Sequence, residues 1–295
     1  MNKCIGCGIK LQNTNKEKLG YTKNLDNKYC ERCFKTIHYN EEKKVTNLDN
    51  TKIINKINKL GFFTIFITDL VSINKELIKV FKSINNNKIL VINKCDIIPG
   101  NLKLEHIEEN IKSNFNINDE ICFISAKKNL YLNKIISLIE EKENVILCGE
   151  TSSGKSTLIN NLIGSNLTTS HYSNTTLDFI KLKYLDYCIY DSPGIIISEK
   201  KNNTEKIVVS TKQLNDSYVL SVGDIKLRLN GNLTFIVPHN LKITSKKEDI
   251  QLESIIEINK PSDIELPNGG FIFVKNSCII KSNKSLGVRN SIIGK

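Results

Sequence analysis

Residues 144–157 read NVILCGETSSGKST and decide the fold. The apolar run 144–148 predicts a buried strand, and residues 157–163 predict a helix. Between them, Gly149–Ser156 fits the phosphate-loop pattern G-x4-G-K-[ST]. Because such a loop joins a strand to a helix, its flanks support the match.

This loop contains the groups that bind the phosphates of a nucleotide. Its glycines let the backbone curl around an anion with N–H groups pointing inward. Lys155 is predicted to neutralise the β- and γ-phosphates, and Ser156 to offer its hydroxyl to Mg²⁺. The predicted phosphate-binding residues are Gly149, Ser152, Ser153, Gly154, Lys155, Ser156 and Thr157.

A γ-phosphate-sensing motif, Asp191-Ser-Pro-Gly194, follows the apolar run 187–190. Asp191 is predicted to hold Mg²⁺ through water, and Gly194 to donate its N–H to the γ-phosphate. Taken alone, D-S-P-G also fits an ordinary turn. Thr176 lies between the two motifs and is predicted to bring a second hydroxyl to Mg²⁺, with Thr175 as a rival. The predicted catalytic residues are Lys155, Thr176 and Gly194, and the predicted magnesium ligands are Ser156, Thr176 and Asp191.

Asn93-Lys94-Cys95-Asp96 follows the apolar run 88–93 and predicts a guanine-selecting loop. The Asp96 carboxylate would accept hydrogen bonds from the ring N–H and the exocyclic amine of guanine, a donor pair that adenine lacks. Asn93 and Lys94 would brace this loop, and the backbone N–H groups of Ser125-Ala126 would approach the guanine O6. An N-K-x-D match alone is weak evidence in a chain this rich in Asn and Lys. Together with the phosphate loop and the Asp191-Ser-Pro-Gly194 motif, it predicts GTP as the nucleotide.

The order of these motifs is that of a circular permutation. In an ordinary small GTPase the phosphate loop comes first and N-K-x-D lies near the end. Here N-K-C-D and Ser125-Ala126-Lys127 precede the phosphate loop, and D-S-P-G follows it. Joined termini and a new break can preserve the sheet, so the same site can be assembled. Strands alternating with helices predict an α/β fold with a mainly parallel sheet.

Two C-x2-C pairs lie near the amino terminus, Cys4/Cys7 and Cys30/Cys33. Each pair can present two sulfurs from one tight turn, and two such turns complete a tetrahedral shell typical of structural Zn²⁺. A redox C-x-x-C pair and an iron–sulfur site are the competing interpretations. The other five cysteines are single, mostly in apolar surroundings, and are predicted to be small core residues.

The chain of 295 residues carries a net charge of +11, of which residues 1–50 hold +4, residues 51–200 hold +2 and residues 201–295 hold +5. Basic flanks around a near-neutral middle favour contacts with a polyanion such as RNA, although a solvated Lys-rich surface fits equally well. After about residue 200, short β-rich runs predict a mostly β domain. Its aromatics Tyr218, Phe235, Phe271 and Phe273 are predicted to be core rather than base-stacking residues.

The amino terminus has neither a signal-peptide-like apolar run nor the character of a transit peptide. The most apolar stretch, residues 60–71, contains Asp69 and is too short to span a bilayer. We therefore expect a cytoplasmic protein without a membrane partner.

These features together resemble the YqeH family of circularly permuted GTPases. The similarity rests on CIGCGIKLQ, YCERCF and HYN near the amino terminus, the permuted motif order, and GGFIFV near the end. It implies GTP hydrolysis coupled to assembly of the small ribosomal subunit, and a C-terminal domain that contacts RNA or peptide. The predicted domains are a zinc module (1–45), a GTPase domain (46–200) and a β-rich RNA-contacting domain (201–295).

The chain departs from the family pattern at the phosphate loop and the threonine segment. Ser152 and Ser153 replace the usual Asn-Val, and Ser173-Asn-Thr-Thr176 replaces P-G-T-T. Ile195 follows Gly194 where many small GTPases carry a water-positioning Gln, which predicts slow intrinsic hydrolysis. Two alternatives stay open: a nucleotide-regulated RNA-binding module with negligible catalysis, and a permuted GTPase that acts on the large subunit.

Overall fold

The computed structural model describes residues 2–39, 49–98, 100, 102–164, 178–197, 207–267 and 269–294. Its contacts separate two compact units. The first comprises Met1–Asp69, Glu76–Asp96 and Asp119–Ile197, and the second comprises Leu70–Lys75, Ile97–Asn118 and Ser198–Lys295. The three-domain division at residues 45 and 200 stays a prediction.

The α-helices in the described part of the chain are α1 (Glu31–Tyr39), α2 (Asn50–Leu60), α3 (Lys75–Lys82), α4 (Leu104–Phe115), α5 (Asn133–Lys142) and α6 (Lys155–Ile163). The strands there are β1 (Phe63–Asp69), β2 (Lys88–Asn93), β3 (Glu120–Phe123), β4 (Asn144–Gly149), β5 (Ile180–Tyr184), β6 (Tyr187–Asp191), β7 (Ile207–Leu214), β8 (Val219–Val222), β9 (Ile225–Arg228), β10 (Gly231–Pro238), β11 (Ile243–Lys246), β12 (Ser254–Ile258), β13 (Ser262–Glu265), β14 (Phe271–Val274), β15 (Cys278–Ser282) and β16 (Val288–Asn290).

The first unit is built on one sheet with the strand order β3-β2-β1-β4-β6-β5. The first five strands in this order run parallel, and β5 is antiparallel to its neighbour β6. This confirms the predicted α/β class. Because the carboxyl ends of parallel strands share one edge of the sheet, the loops that follow β2, β3, β4 and β6 converge there.

The strands of this sheet are continuous apolar runs because helices cover both faces of a parallel sheet. In β1, β2 and β4 all residues after the first are buried. The core includes Ile67, Val91, Leu147 and Leu158, and it extends from the sheet to α5 and α6. It gives the loops at the carboxyl edge a rigid base.

Helix α2 precedes β1 and has a defined beginning and end. The Asp49 carboxylate accepts a hydrogen bond from the Thr51 N–H, and the chain leaves the helix at Gly61 in a left-handed conformation (φ 69°). Ile53 and Ile57 are buried one turn apart. Capping and this apolar stripe therefore stabilise a helix that contains many Asn and Lys residues.

The second unit is mostly β, as predicted. It contains two five-stranded sheets, β16-β13-β14-β10-β7 and β11-β8-β9-β15-β12. Alternate residues of their strands form one apolar core that includes Leu227, Phe235, Ile272 and Ile280. Phe235 and Phe271 are fully buried, which confirms for these two aromatics the expectation of a core role.

A buried ion pair lies in this second unit. The Arg289 guanidinium donates to the Asp263 carboxylate at 3.3 Å, to Glu265 at 3.2 Å and to the carbonyl oxygen of Ile73. Burial raises the pKa of Asp263 above its usual range. Arg289 contributes to the +5 charge of residues 201–295, but its position inside the fold removes it from any RNA-facing surface.

No helix in the described ranges is both long enough and apolar enough to cross a bilayer.

Candidate functional site

The phosphate loop joins the end of β4 to the start of α6, as the sequence predicts. Gly149 (φ 149°) and Gly154 (φ 91°) adopt backbone conformations that residues with a side chain rarely take. A Cβ on Gly154 would collide with the Asn93 amide, and one on Gly149 would collide with the backbone of Ile67. Gly149 therefore permits the close approach of β4 to β1, and Gly154 permits the close approach of the phosphate loop to the Asn93 side chain at the end of β2.

Lys155 and Asp191 meet at the centre of this loop. The Lys155 Nζ lies 2.5 Å from Asp191 Oδ1 and 2.5 Å from the carbonyl oxygen of Ser192. Both charged side chains are buried, with 8% and 5% of their surface exposed. An ammonium has three donors, so Lys155 can keep Asp191 as a partner and also bind a phosphate oxygen.

Two hydroxyl groups beside this pair have no hydrogen-bond partner among the described residues. They are Ser153 Oγ and Thr151 Oγ1, and both atoms are buried. Buried polar atoms are normally hydrogen-bonded, so unpaired donors in a glycine-containing loop at the start of α6 fit a phosphate-binding role. Ser156 and Thr157 lie half-buried in the first turn of α6, and Ser152 is exposed with a φ of 66°.

Gly194 lies against the phosphate loop. The next residue, Ile195, donates its N–H to the Gly149 carbonyl oxygen at 2.9 Å and accepts from the Thr151 N–H at 3.1 Å. A Cβ on Gly194 would collide with the Thr151 side chain. The structure thus brings Asp191, Gly194 and Lys155 together, whereas Thr175 and Thr176 lie outside the described residues.

Asn93 links the two halves of the site. Its amide Nδ2 donates to the carbonyl oxygen of Ser153 at 2.8 Å, and its Oδ1 accepts from the N–H of Ala126 at 2.9 Å. One buried side chain therefore connects the phosphate loop with the Ser125-Ala126 loop. A change of this residue would disturb both loops.

Lys94 is held in place by Asp69, the last residue of β1, which the sequence reasoning missed. Lys94 Nζ lies 2.6 Å from Asp69 Oδ2, and the Asp69 side chain is 2% exposed. Lys94 has a left-handed backbone (φ 63°), and Asp96 follows exposed in a short 3-10 turn. The sequence did contain a pattern that could have identified Asp69, because an Asp at the end of an apolar strand also pointed to Asp191.

Asn161 on α6 is a second residue that sequence reasoning missed. Its amide donates to the carbonyl oxygen of Ala126 and to Asn129 Oδ1 at 2.7 Å. Ser125 is fully buried and exchanges backbone hydrogen bonds with Leu130. These contacts fix the loop predicted to approach the guanine O6, but no local sequence pattern indicates them.

The four amino-terminal cysteines form one buried cluster. Their Sγ atoms lie within 4.8 Å of one another, and the Cys7 and Cys30 sulfurs are 3.9 Å apart. A tetrahedral site with Zn–S bonds of about 2.3 Å places its sulfurs about 3.8 Å apart. The cluster therefore fits a four-thiolate Zn²⁺ site, in which no position is left for a catalytic water.

Hydrogen bonds among the four sulfurs divide them into two pairs. They lower the pKa of Cys4, through Cys30, and the pKa of Cys30 to about 7, through Cys33, whereas hydrogen bonding with Cys30 raises the pKa of Cys7 and of Cys33. The backbone N–H of Cys30 lies 3.2 Å from Cys4 Sγ, and the Arg32 guanidinium lies 3.8 Å from Cys33 Sγ. N–H donors and a nearby cation are the surroundings that thiolate ligands need.

The cysteine cluster contacts the nucleotide-binding sheet through Asp178. The Asp178 N–H donates to the Cys7 carbonyl oxygen at 3.0 Å, and its carboxylate lies 3.1 Å from Lys3 Nζ and 2.5 Å from Lys56 Nζ. Asp178 lies two residues before β5, which pairs with β6 so that Ile180 is opposite Asp191.

The fold and the motif order define a circularly permuted GTPase. Residues 33–200 match the family model described as RsgA GTPase, and residues 144–266 match the model described as 50S ribosome-binding GTPase. The uncharacterized protein YqeH of Bacillus subtilis is 31% identical over 256 residues, which cover 75% of this chain and 70% of that protein. The chain belongs to the YqeH family.

Other similar proteins are matched over less of their length. The small ribosomal subunit biogenesis GTPase RsgA of Clostridium beijerinckii is 31% identical over 157 residues, or 49% of this chain and 52% of that protein. GDP-bound YlqF and GNP-bound YlqF of T. maritima match with TM-scores of 0.31 and 0.34 and identities of 15% and 16%. They cover 48% and 50% of this chain, and each match spans 57% of the solved chain.

Proposed function

We propose that this protein is a GTP-hydrolysing assembly factor for the small ribosomal subunit that acts in the cytoplasm. The observation that carries the nucleotide part is the Asn93 side chain, which joins the phosphate loop to the loop expected to read guanine. The ribosomal part is supported by the similarity to RsgA of Clostridium beijerinckii, which is named for small-subunit biogenesis.

The base and the phosphates of GTP are assigned to opposite sides of Asn93. Asp96 pairs with the guanine N–H groups, and the Ser125-Ala126 loop lies beside O6, held in position by the bond from the Ala126 N–H to Asn93. On the other side, the phosphate loop surrounds the β- and γ-phosphates, with Lys155 neutralising charge that grows as water attacks in line. The Gly194 N–H contacts the γ-phosphate, so the site distinguishes GTP from GDP.

Ser156, Asp191 and Thr176 are the proposed magnesium ligands. A bound Mg²⁺ would neutralise phosphate charge and stabilise the leaving group. Ser156 begins the turn that follows Lys155, and Asp191 already contacts the Lys155 ammonium. Carboxylate and hydroxyl oxygens are the ligand types that Mg²⁺ prefers.

Slow intrinsic hydrolysis is part of the proposal. Ile195 is fully buried, and its backbone pairs with Gly149 and Thr151. An apolar side chain turned into the fold cannot orient an attacking water as a Gln does. We therefore propose that the ribosomal particle supplies a group that completes the site, while the basic zinc module and the C-terminal unit contact rRNA.

Single-turnover GTP hydrolysis measured with and without purified ribosomal particles tests this function. We expect a low basal rate of GTP hydrolysis that rises at least tenfold with immature small subunits. The Lys155→Ala protein should show no such stimulation. Equal rates with and without particles would contradict the coupling. A Lys155→Ala variant that no longer binds GTP could still bind rRNA and support assembly. That result would favour a nucleotide-regulated RNA-binding module over a GTPase.

The same assay separates the two subunits. One matching family model is described as a 50S ribosome-binding GTPase, which favours the large subunit as a second candidate. Stimulation by large-subunit precursors alone would establish that alternative. Cells depleted of the protein should then accumulate large-subunit precursors rather than small-subunit precursors.

A further inference from the structure

Asn50, the first residue of α2, pairs with the backbone of a residue 146 positions away. Its Nδ2 donates to the carbonyl oxygen of Ile196 at 2.6 Å, and its Oδ1 accepts from the Ile196 N–H at 3.0 Å. One side-chain amide thus satisfies both polar groups of a peptide segment, as a neighbouring strand would.

The segment held by Asn50 is the continuation of the γ-phosphate-sensing turn. Ile195, one residue after Gly194, hydrogen-bonds to Gly149 and Thr151 of the phosphate loop. The next residue, Ile196, hydrogen-bonds to Asn50. The two residues that follow Gly194 are therefore fixed from two sides, by the phosphate loop and by α2.

The stability of α2 does not explain why Asn occupies this position. The Asp49 carboxylate caps the helix by accepting from the Thr51 N–H at 2.9 Å, so the Asn50 side chain is not required as a cap. Asn also has a lower helix propensity than Ala, Lys or Glu. Its side chain is used instead for the contact with Ile196.

Helix α2 is itself held close to the nucleotide-binding strands. Lys56 contacts the Asp178 carboxylate and lies over the Phe179 ring at 4.7 Å, while Ile53 and Ile57 are buried. Asn50 therefore extends from a rigid element, which is the requirement for positioning another group accurately.

We propose that Asn50 is a positioning residue that holds the Gly194 turn in the geometry required to sense a γ-phosphate. The inference rests on the proposed nucleotide site and adds to it a residue far from every GTPase motif in the sequence. GDP has no γ-phosphate, so the role of Asn50 concerns GTP and not GDP.

The matched control lies on the same helix. The Asn58 side-chain amide also forms two hydrogen bonds with the backbone: it donates to the Ser83 carbonyl oxygen at 3.1 Å and accepts from the Asn85 N–H at 2.9 Å. The loop that it holds contains none of the predicted nucleotide-binding residues. Asn58→Ala therefore removes a similar pair of hydrogen bonds without touching the Gly194 turn.

The test compares affinities for GDP and a non-hydrolysable GTP analogue in the full-length chain. We expect Asn50→Ala to weaken analogue binding about tenfold more than GDP binding, because two polar groups beside the turn lose their partners. Asn50→Asp keeps the acceptor and loses the donor, so it should shift the same ratio. Asn58→Ala should leave the ratio at the wild-type value.

Thermal unfolding of each variant checks that it folds. An unchanged affinity ratio in folded Asn50→Ala and Asn50→Asp proteins would overturn the inference, as would an equal shift in Asn58→Ala. If the wild-type chain binds neither nucleotide, the proposed function itself fails. Wild-type binding with an unchanged variant ratio removes only the role of Asn50.

Discussion

The cysteine cluster and the nucleotide site lie in the same unit but are supported in different ways. The cluster has a small apolar environment of Leu11, Ile9 and Tyr29 around its four sulfurs. The nucleotide site rests on a six-stranded sheet with a large core on which α5 and α6 pack. Burial of apolar area stabilises the second region far more than the first.

This difference predicts separate roles for metal and nucleotide. Four buried cysteines with a small core fit a structural metal site, in which a bound Zn²⁺ would offset the charge of the thiolates and supply folding energy. The phosphate and base loops are instead preorganised by hydrogen bonds such as those of Asn93. GTP should therefore bind a site that exists without it, whereas the zinc module should require its ion.

Removal of zinc should have the largest effect, and it tests whether the cysteine cluster needs a metal ion to fold. Cys33→Ser or strong chelation should unfold residues 2–39, because structural Zn²⁺ contributes about 10 kcal/mol or more to such modules. Elemental analysis should find one zinc per chain before chelation, and amide exchange should then rise in the module. The control is Cys278→Ser, a half-buried single cysteine. Retention of a folded module after zinc loss would contradict the assignment.

Lys155→Ala should weaken GTP binding by at least 100-fold and leave the sheet folded. The ammonium is buried in the phosphate loop, and its loss also removes the 2.5 Å contact with Asp191. Fluorescent nucleotide titration measures the affinity, and circular dichroism measures the fold. The control, Lys134→Ala, removes a surface ion pair with Glu120. Wild-type affinity in the Lys155 variant would contradict the site.

Asp69→Asn should weaken GTP binding about tenfold, because a buried ion pair that loses one charge no longer compensates the burial of the other. The change removes the carboxylate that fixes Lys94 within the guanine-selecting loop. The loss should appear equally for GTP and GDP, since both contain guanine. The control is Glu120→Gln, which removes an exposed carboxylate at the start of β3 in the same sheet. A loss confined to GTP would place Asp69 at the phosphates instead.

Asp178→Asn should have the smallest effect, below about 1 kcal/mol, because its ion pairs with Lys3 and Lys56 are partly exposed. Burial raises the pKa of Asp178, but hydrogen bonds from Lys56 and Lys3 outweigh burial and lower it overall. The ion pairs therefore stabilise the native state fully at pH values above the ordinary Asp pKa. This stabilisation is lost as the pH falls through the lowered pKa that Asp178 has in the folded protein.

Urea unfolding of wild-type and Asp178→Asn proteins at pH 7 and at pH 3 measures this dependence. The difference between the two proteins should be present at pH 7 and shrink at pH 3. A difference that grew on acidification would contradict the sign of the pKa shift.

The sequence alone determined the strands and loops that carry chemistry. The predicted range 88–93 coincides with β2, and the predicted run 144–148 lies within β4. Strands of a buried parallel sheet are apolar throughout, and a glycine-containing loop has few alternatives, so both are visible locally. The circular permutation follows from the order of the motifs along the chain, which is a property of the sequence itself.

The sequence reasoning missed the helices α1, α2 and α4 and the strands β5 and β11–β13. Helix α2 is rich in Asn and Lys, and its stability comes from the Asp49 cap and the burial of Ile53 and Ile57. Strand β13 contains the buried Asp263, which pairs with Arg289 on the neighbouring strand β16, 26 residues later in the chain. These elements depend on partners supplied by other parts of the chain, so local propensity did not reveal them.

Only the tertiary structure decided which side chains hold the site in place. Asp69 and Lys94 are 25 residues apart, Asn93 and Ser153 are 60 apart, and Asn50 and Ile196 are 146 apart. A local pattern can specify a loop because its conformation depends on neighbouring residues. The contacts that join loops depend on strand order, which is set by burial of the whole sheet.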